Sequence, residues 1–300
     1  MKSHNSKNLV KKQWVRVFAV TFLISGWMVS SARAQLWLGD WYPTVGAELV
    51  TDDNINRAPD GEGEKSDVII RPSLRAEMQQ EMAMQTFAHM AVYAEGAIHG
   101  KYDGLNYMEP GVAVGGRHMF GEGESAMSLL GELGLGYQFF DQDIRSGAVF
   151  DPRVELRIPI EERIELGFSY AYDTKFSSDN PIYDVAGHTL GLRGTVRVSD
   201  ALGLVMGYQY RQGDTIIHER NAEGVLGEEI RGERLPLDTF KQRYTAVQLE
   251  DADTHTFEVG VRYEYDLYTT MNLRFRYEEI EEGSEKYPST QLLLGVSHAL

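Results

Sequence analysis

The chain is 300 residues long, has no cysteine, and sets 45 acidic residues against 29 Lys and Arg, a formal net charge of −16 at pH 7. That acid surplus excludes nucleic acid as a partner, because a phosphate backbone is bound through clustered cations. The lack of cysteine excludes a disulfide framework and a lipid-modified cysteine anchor.

Residues 1–34 hold four Lys, two Arg and no acid. Lys2, Lys7, Lys11, Lys12 and Arg16 precede the apolar run Val17–Val29, and Ala32-Arg33-Ala34 places small residues where a signal peptidase cuts. The pattern predicts a secretory signal peptide over residues 1–34, cleaved before Gln35, and one domain over residues 35–300. The apolar run is thirteen residues long and broken by Ser25 and Gly26. A spanning helix needs roughly 17–25. Losing six basic residues and no acid leaves 23 basic and 45 acidic, a charge of −22. No later stretch approaches about eighteen uninterrupted apolar residues, which excludes a helical inner-membrane protein.

From Ser66 onward, apolar and polar residues alternate. Strand side chains point to opposite faces in turn, so each segment has one apolar and one charged wall. Gln35–Tyr42, with Trp37 and Trp41, is expected at the rim, before a first strand near Pro43–Thr51 with Val45, Ala47 and Leu49 against Glu48. A Gly-rich loop, Asp52–Lys65, leads to a second strand, where Val68, Ile70, Pro72, Leu74, Ala76 and Met78 oppose Arg71, Ser73, Arg75 and Glu77. Gln79–Gln85 reads as a turn into a third, with Ala88, Met90 and Val92 against His89, Tyr93, Glu95 and His99. The fourth (Gly111–Phe120) carries Arg117 inward, and the fifth (Ala126–Phe139) Ser128, Glu132 and Gln138. In the sixth (Ala148–Ile158), Phe150, Val154, Leu156 and Ile158 oppose Asp151, Arg153, Glu155 and Arg157. After Pro159–Arg163 a seventh turns Ile164, Leu166, Phe168, Tyr170 and Tyr172 outward. The eighth (Val185–Val198) and ninth (Leu202–Gln212) share Arg193, Arg197, Gln209 and Arg211 on the inner phase. The tenth (Thr254–Tyr265) puts Glu258, Arg262 and Glu264 inward, the eleventh (Thr270–Ile280) Arg274, Arg276 and Glu278, and Thr290–Leu300 is the twelfth.

Alternate connections are short and the others longer, the largest being Gly213–Asp253. Lipid outside and a polar interior account for walls of this kind, so the fold class is all-β, a transmembrane antiparallel up-and-down β-barrel of about twelve strands. Alternation within Thr239–Leu249 leaves room for fourteen. A soluble sandwich is the competing reading.

Five Lys follow the leader (Lys65, Lys101, Lys175, Lys241 and Lys286), and all are assigned to loops. The cations of the inward phase are Arg71, Arg75, Arg117, Arg153, Arg157, Arg193, Arg197, Arg211, Arg262, Arg274 and Arg276. Guanidinium groups are planar, permanently charged and suited to gripping oxyanions, so this wall is a candidate contact surface for acidic sugars or other anions. Glu77, Glu155, Glu258 and Glu264 share the phase, as do Glu48, Glu95, Glu132, Glu165 and Glu278, so pairing across strands into a filled interior is the alternative. The acidic stretches Glu219–Asp253 and Glu278–Glu285 read first as solvated loops, and second as a site for Ca²⁺ or Mg²⁺ bridging lipopolysaccharide phosphates. His188 and His255 face outward near a rim without a His-x-Ser arrangement. Asp52-Asp53-Asn54 reads as turn chemistry. Neither a catalytic constellation nor a cofactor motif is expected.

The whole segment after the leader resembles bacterial outer-membrane β-barrels of the small-porin type, on architecture more than on motif. Leu293-Leu294-Gly295-Val296-Ser297-His298-Ala299-Leu300 is similar to the terminal signal read by the barrel assembly machinery. Gly295 meets its pattern, while His298 and Leu300 stand where aromatic residues are usual. Thr51-Asp52-Asp53-Asn54-Ile55-Asn56-Arg57-Ala58-Pro59 is similar to the segment after the first strand in porin-like families, including the barrel of surface lipoprotein assembly modifiers. The resemblance implies the cell outer membrane, contact with its lipids and lipopolysaccharide, and passage of small polar solutes. Export or display of surface proteins is the alternative.

Overall fold

The computed structural model describes residues 40–59, 63–123, 126–220, 240 and 244–300; the expected leader lies outside them. The strands are β1 (Trp41–Asp52), β2 (Asp67–Ala83), β3 (Thr86–His99), β4 (Tyr107–Phe120), β5 (Met127–Phe140), β6 (Gly147–Glu161), β7 (Ile164–Ser177), β8 (Val185–Arg197), β9 (Leu202–Arg220), β10 (Tyr244–Glu264), β11 (Thr269–Glu282) and β12 (Glu285–Ala299). Each pairs antiparallel with its sequence neighbours, and β1 pairs β12 from Thr44↔Ala299 to Asp52↔Gln291, which closes the sheet. Closure leaves no unpaired edge, the condition for backbone to cross hydrocarbon.

The alternation seen in sequence becomes two walls. Val112, Leu135, Phe168, Leu192, Phe257 and Leu273 stand on the outer wall, each 45–51% exposed. An unbroken apolar belt of this kind has lipid as its solvent. The inner wall is polar through the middle of the barrel. On β3 and β4 it is built by close packing: a Cβ at Gly111 would lie 2.2 Å from the Tyr93 ring, and one at Gly115 2.4 Å from the His89 ring.

Several boundaries differ from the sequence reading. Trp41 and Tyr42 belong to β1, and Gln79–Ala83 continues β2, leaving only Met84-Gln85 as the turn. Among the described residues there are twelve strands, not fourteen. The alternation expected as an additional strand pair is the upward continuation of β10, paired with β9 from Tyr244↔Arg220 to Leu249↔Thr215. The acidic stretch Glu278–Glu285 lies in β11 and β12 around the tight turn Gly283-Ser284 rather than in a long loop. Lys175 and Lys286 are strand residues, in β7 and β12, because those strands outrun their apolar alternation. Lys286 Nζ bonds Glu279 at 2.8 Å and also reaches Glu281 across the hairpin at 2.5 Å.

The packed core sits in the mouth at the long-loop end. A β-bulge with Asp251 in a left-handed conformation interrupts the β9–β10 ladder between Leu249 and Ala252. Opposite it, a Cβ at Gly213 would meet the Ala186 carbonyl at 2.2 Å. Beyond this point β9 and β10 leave the membrane wall and have both faces buried. Ile217, Val247 and Leu249 pack on Ile280 and Tyr287. Ala246, on the other face, packs with Ile182 and Tyr183, and Ile144 and Ile216 join them. Short 3-10 helices at Asp103–Leu105, Asp143–Arg145 and Pro181–Tyr183 bring these residues in from three loops. A further group of Tyr102, Leu105, Phe240 and Tyr244 adjoins Ile55. The mouth is therefore filled with apolar side chains from the strand extensions and from the loop helices.

Candidate functional site

Below the plug the inner wall carries the arginines, and most are paired. Arg75 reaches past β3 and β4 to Glu132 on β5 at 2.7 Å, and also meets Glu77 at 3.1 Å. The other Glu132 oxygen holds Arg153 at 2.7 Å, and His89 Nε2 lies 2.9 Å from the first. On the opposite side Glu258 holds Arg274 at 3.2 Å and Arg276 at 2.9 Å. Arg274 also bonds Glu48, which lies 3.7 Å from Arg71. Arg157 pairs with Glu155 at 2.7 Å, Arg211 with Asp173 at 2.9 Å, and Arg262 with Glu264 at 3.2 Å. Eight of the eleven predicted arginines are thus in ion pairs. Pairs like these fix strand register and add little net stability.

The wall of β7–β9 is different. Many of its inward positions are small, Gly167, Ser169 and Ala171 on β7, Gly191 on β8, Gly203 and Gly207 on β9, while Glu165 on β7 stands in register with Thr195, between the two arginines of β8. Among them stand Arg193 and Arg197, which are exposed and make no ion pair among the described residues. Arg157 and Arg193 flank Gly167 in register, and Arg197 and Arg262 flank Gly203. Two guanidiniums two strands apart over a glycine stand about 10 Å from each other at the root, a spacing that leaves room between them. The Arg153, Arg157 and Arg262 side chains are 41–50% exposed although they point into the barrel. Exposure of inward-facing charge means that water reaches this part of the lumen. Arg117, nearer the turns, hydrogen-bonds Ser128 Oγ at 3.2 Å.

Sequence reasoning read Asp52-Asp53-Asn54 as a turn and missed its partners. Asp52 is buried and accepts from Ser289 Oγ and Gln291 Nε2, both at 2.9 Å, and from the Asn54 backbone N–H at 2.9 Å. Arg57 bridges it, at 3.1 Å, to Glu278 at 2.9 Å. The segment Thr51–Pro59 is in this way clamped to the β1–β12 seam. Replacing Asp52 by Ala orphans three buried donors and one side of Arg57, and is expected to cost about 3–5 kcal/mol. A lowered urea midpoint with unchanged slope, read on the heat-modifiable folded form, checks it.

His188 and His255 face outward as expected. Their ring nitrogens bond phenols, Tyr170 at 2.8 Å and Tyr208 at 2.9 Å, rather than a serine. Two further residues escaped the sequence reading: Arg145 and His218, buried in the plug 2.7 Å apart. Among the described residues, no cluster of three or more acids, His or Cys suited to a metal occurs.

Among solved structures the chain is similar to an outer-membrane channel from Pseudomonas putida F1, with 10% identity, 88% of this chain and 97% of that one covered, and a TM-score of 0.57. It is also similar to the NanC porin (11% identity, 85% and 100% covered, TM-score 0.44) and to the KdgM porin in complex with disordered oligogalacturonate (9%, 86% and 99%, 0.42). No protein-family model matches the chain, and no curated protein matches it significantly. At such identities the likeness is one of fold. With its lipid-facing belt, this is a transmembrane β-barrel with the fold of outer-membrane channels.

Proposed function

We propose that the protein is an outer-membrane channel passing small polar solutes, anions among them, along the β6–β10 side of the lumen. The observation that carries this reading is the pair Arg193 and Arg197, exposed and outside every ion pair among the described residues, on a wall rich in small side chains. Paired charges elsewhere narrow the lumen, and free guanidiniums on this side give a passing oxyanion successive weak contacts. Arg153, Arg157 and Arg262, half exposed despite their partners, extend the track. The fold likeness to an outer-membrane channel supports it. The outer wall meets lipid and lipopolysaccharide, and β12, with Gly295 facing inward against Asn272, is the element offered to the assembly machinery. An export role rests on the resemblance of Thr51–Pro59 alone, and in the fold that segment is the Asp52 clamp.

The test is single-channel recording of refolded protein in a planar bilayer under a salt gradient. Discrete steps are expected. The double variant Arg193→Ser/Arg197→Ser removes positive charge without breaking an ion pair among the described residues, so its reversal potential moves toward cation preference while conductance persists. Neutralising Arg153 and Arg157 gives the same direction but also strands Glu155, while Glu132 keeps Arg75 and His89. A folded, heat-modifiable barrel that stays silent sinks the channel reading, and an unchanged reversal potential removes Arg193 and Arg197 from the solute path.

A further inference from the structure

Arg145 is 5% exposed and makes no ion pair among the described residues. It sits at the end of the 3-10 helix Asp143–Arg145, inside the plug, 5.1 Å from the centre of the Tyr183 ring. One terminal nitrogen donates to Nε2 of His218 at 2.7 Å. Among the described residues its Nε donates to nothing, and the buried Tyr183 hydroxyl, close enough to feel the Arg145 charge, lacks a partner in hydrogen-bonding geometry. A second cation is close by: the Lys175 ammonium lies 4.3 Å over the Phe140 ring, where Arg145 repels it and Glu109 and Asp184 attract it. A guanidinium taken out of water without a counter-ion is strongly unfavourable, and buried charges are ordinarily paired. Here two cations and a phenol share one corner of the mouth, and among the described residues the guanidinium's hydrogen bond is with an imidazole that acts as acceptor.

We propose that Arg145, Tyr183 and Lys175 form a binding site for the oxyanion, carboxylate or phosphate, of a small solute at the mouth of the barrel. The guanidinium offers Nε and a terminal N–H side by side, the arrangement that takes an oxyanion through two parallel bonds. Tyr183 supplies a third donor and Lys175 a second charge. An arriving oxyanion displaces His218 from Arg145 and so touches the residue that ties β9 to the loop helices. The site stands apart from the lumen wall, and its occupancy does not depend on the protein conducting.

The experiment is titration calorimetry on the full refolded chain in detergent, with sodium succinate and with inorganic phosphate at constant ionic strength. Saturable binding of at least one probe is expected, weakened at least about tenfold by Arg145→Gln. Tyr183→Phe, a milder change that keeps the packing, is expected to weaken it a few-fold and serves if Arg145→Gln does not refold. Arg193→Ser/Arg197→Ser leaves it unchanged, which separates this site from the lumen. Absence of saturable binding for both probes overturns the proposal, as does affinity indifferent to Arg145→Gln and Tyr183→Phe. Binding that emerges only when residues 222–238 are deleted assigns the cation to an acid of the chain itself and overturns it too.

Discussion

Joining Gly213 to Ala252 through a two-residue Asn-Gly turn is expected to raise single-channel conductance several-fold while leaving a closed twelve-stranded barrel. Gly213 and Ala252 already face each other in register, so a two-residue turn between them ends the hairpin at the point where it leaves the wall. What is removed is the plug: Ile217, Val247 and Leu249 on one face, Ala246 and Ile216 on the other. The rest of the ladder, Gln212↔Asp253 down to Leu202↔Tyr263, is untouched. The lost burial was in the mouth and not in the membrane wall, so the belt that anchors the barrel in lipid is unaltered. Conductance equal to that of the full chain, with the variant folded, would show that solutes already pass the plug freely.

The membrane part of the fold was legible because hydrocarbon and water enforce a period of two. Wherever a strand crosses lipid, every second residue must be apolar, and segments such as Phe150–Ile158 show it without interruption. Legibility failed where that pressure ends. In Asp214–His218 and Ala246–Leu249 apolar residues fall on both faces, so Ile216 and Ile217, or Ala246 and Val247, stand adjacent; the partial alternation of Thr239–Leu249 therefore reads in sequence as an extra strand pair and not as a continuation of β10. Lys286 and Glu279–Glu282 failed for another reason: one face of that hairpin packs Ile280 and Tyr287 into the mouth, while the other carries cross-strand charge, which in sequence looks like an acidic loop.

The same division runs through the site. The inward phase of the eleven arginines could be read from periodicity, since a one-residue slip would put all of a strand's charges into lipid. Which of them stay free could not. Freedom at Arg193 and Arg197 depends on Gly167, Gly203 and Gly207 on neighbouring strands, and pairing at Arg75 on a carboxylate 57 residues away. Arg145 carried no signal at all. It lies in a short polar loop, and its burial is created by His218, 73 residues later.

Acidification below about 6.5 is expected to loosen the mouth, and His218 is the group responsible. Arg145 can only donate, so the 2.7 Å contact requires His218 Nε2 to be an unprotonated acceptor. The surroundings enforce that state: burial first, then the Arg145 charge, hold the His218 imidazole well below its ordinary value. The neighbours offer no relief, since Phe240 packs on the ring at 5.1 Å, Tyr183 faces the guanidinium, and Asn56 engages only the His218 backbone. A depressed folded value means that the unfolded or opened mouth takes the proton first. The contribution of this group is therefore complete above about 6.5 and drains as pH falls, by about 1.4 kcal/mol per unit until the folded value is reached. Conductance of the full chain should accordingly rise between pH 7 and 5, above the range in which most carboxylates titrate. His218→Gln keeps an acceptor for Arg145 in its amide oxygen and does not ionise, so the rise should vanish in that variant while conductance at pH 7 stays the same. A rise that persists in His218→Gln would assign the acid response to carboxylates of the lumen wall and leave the plug indifferent to pH.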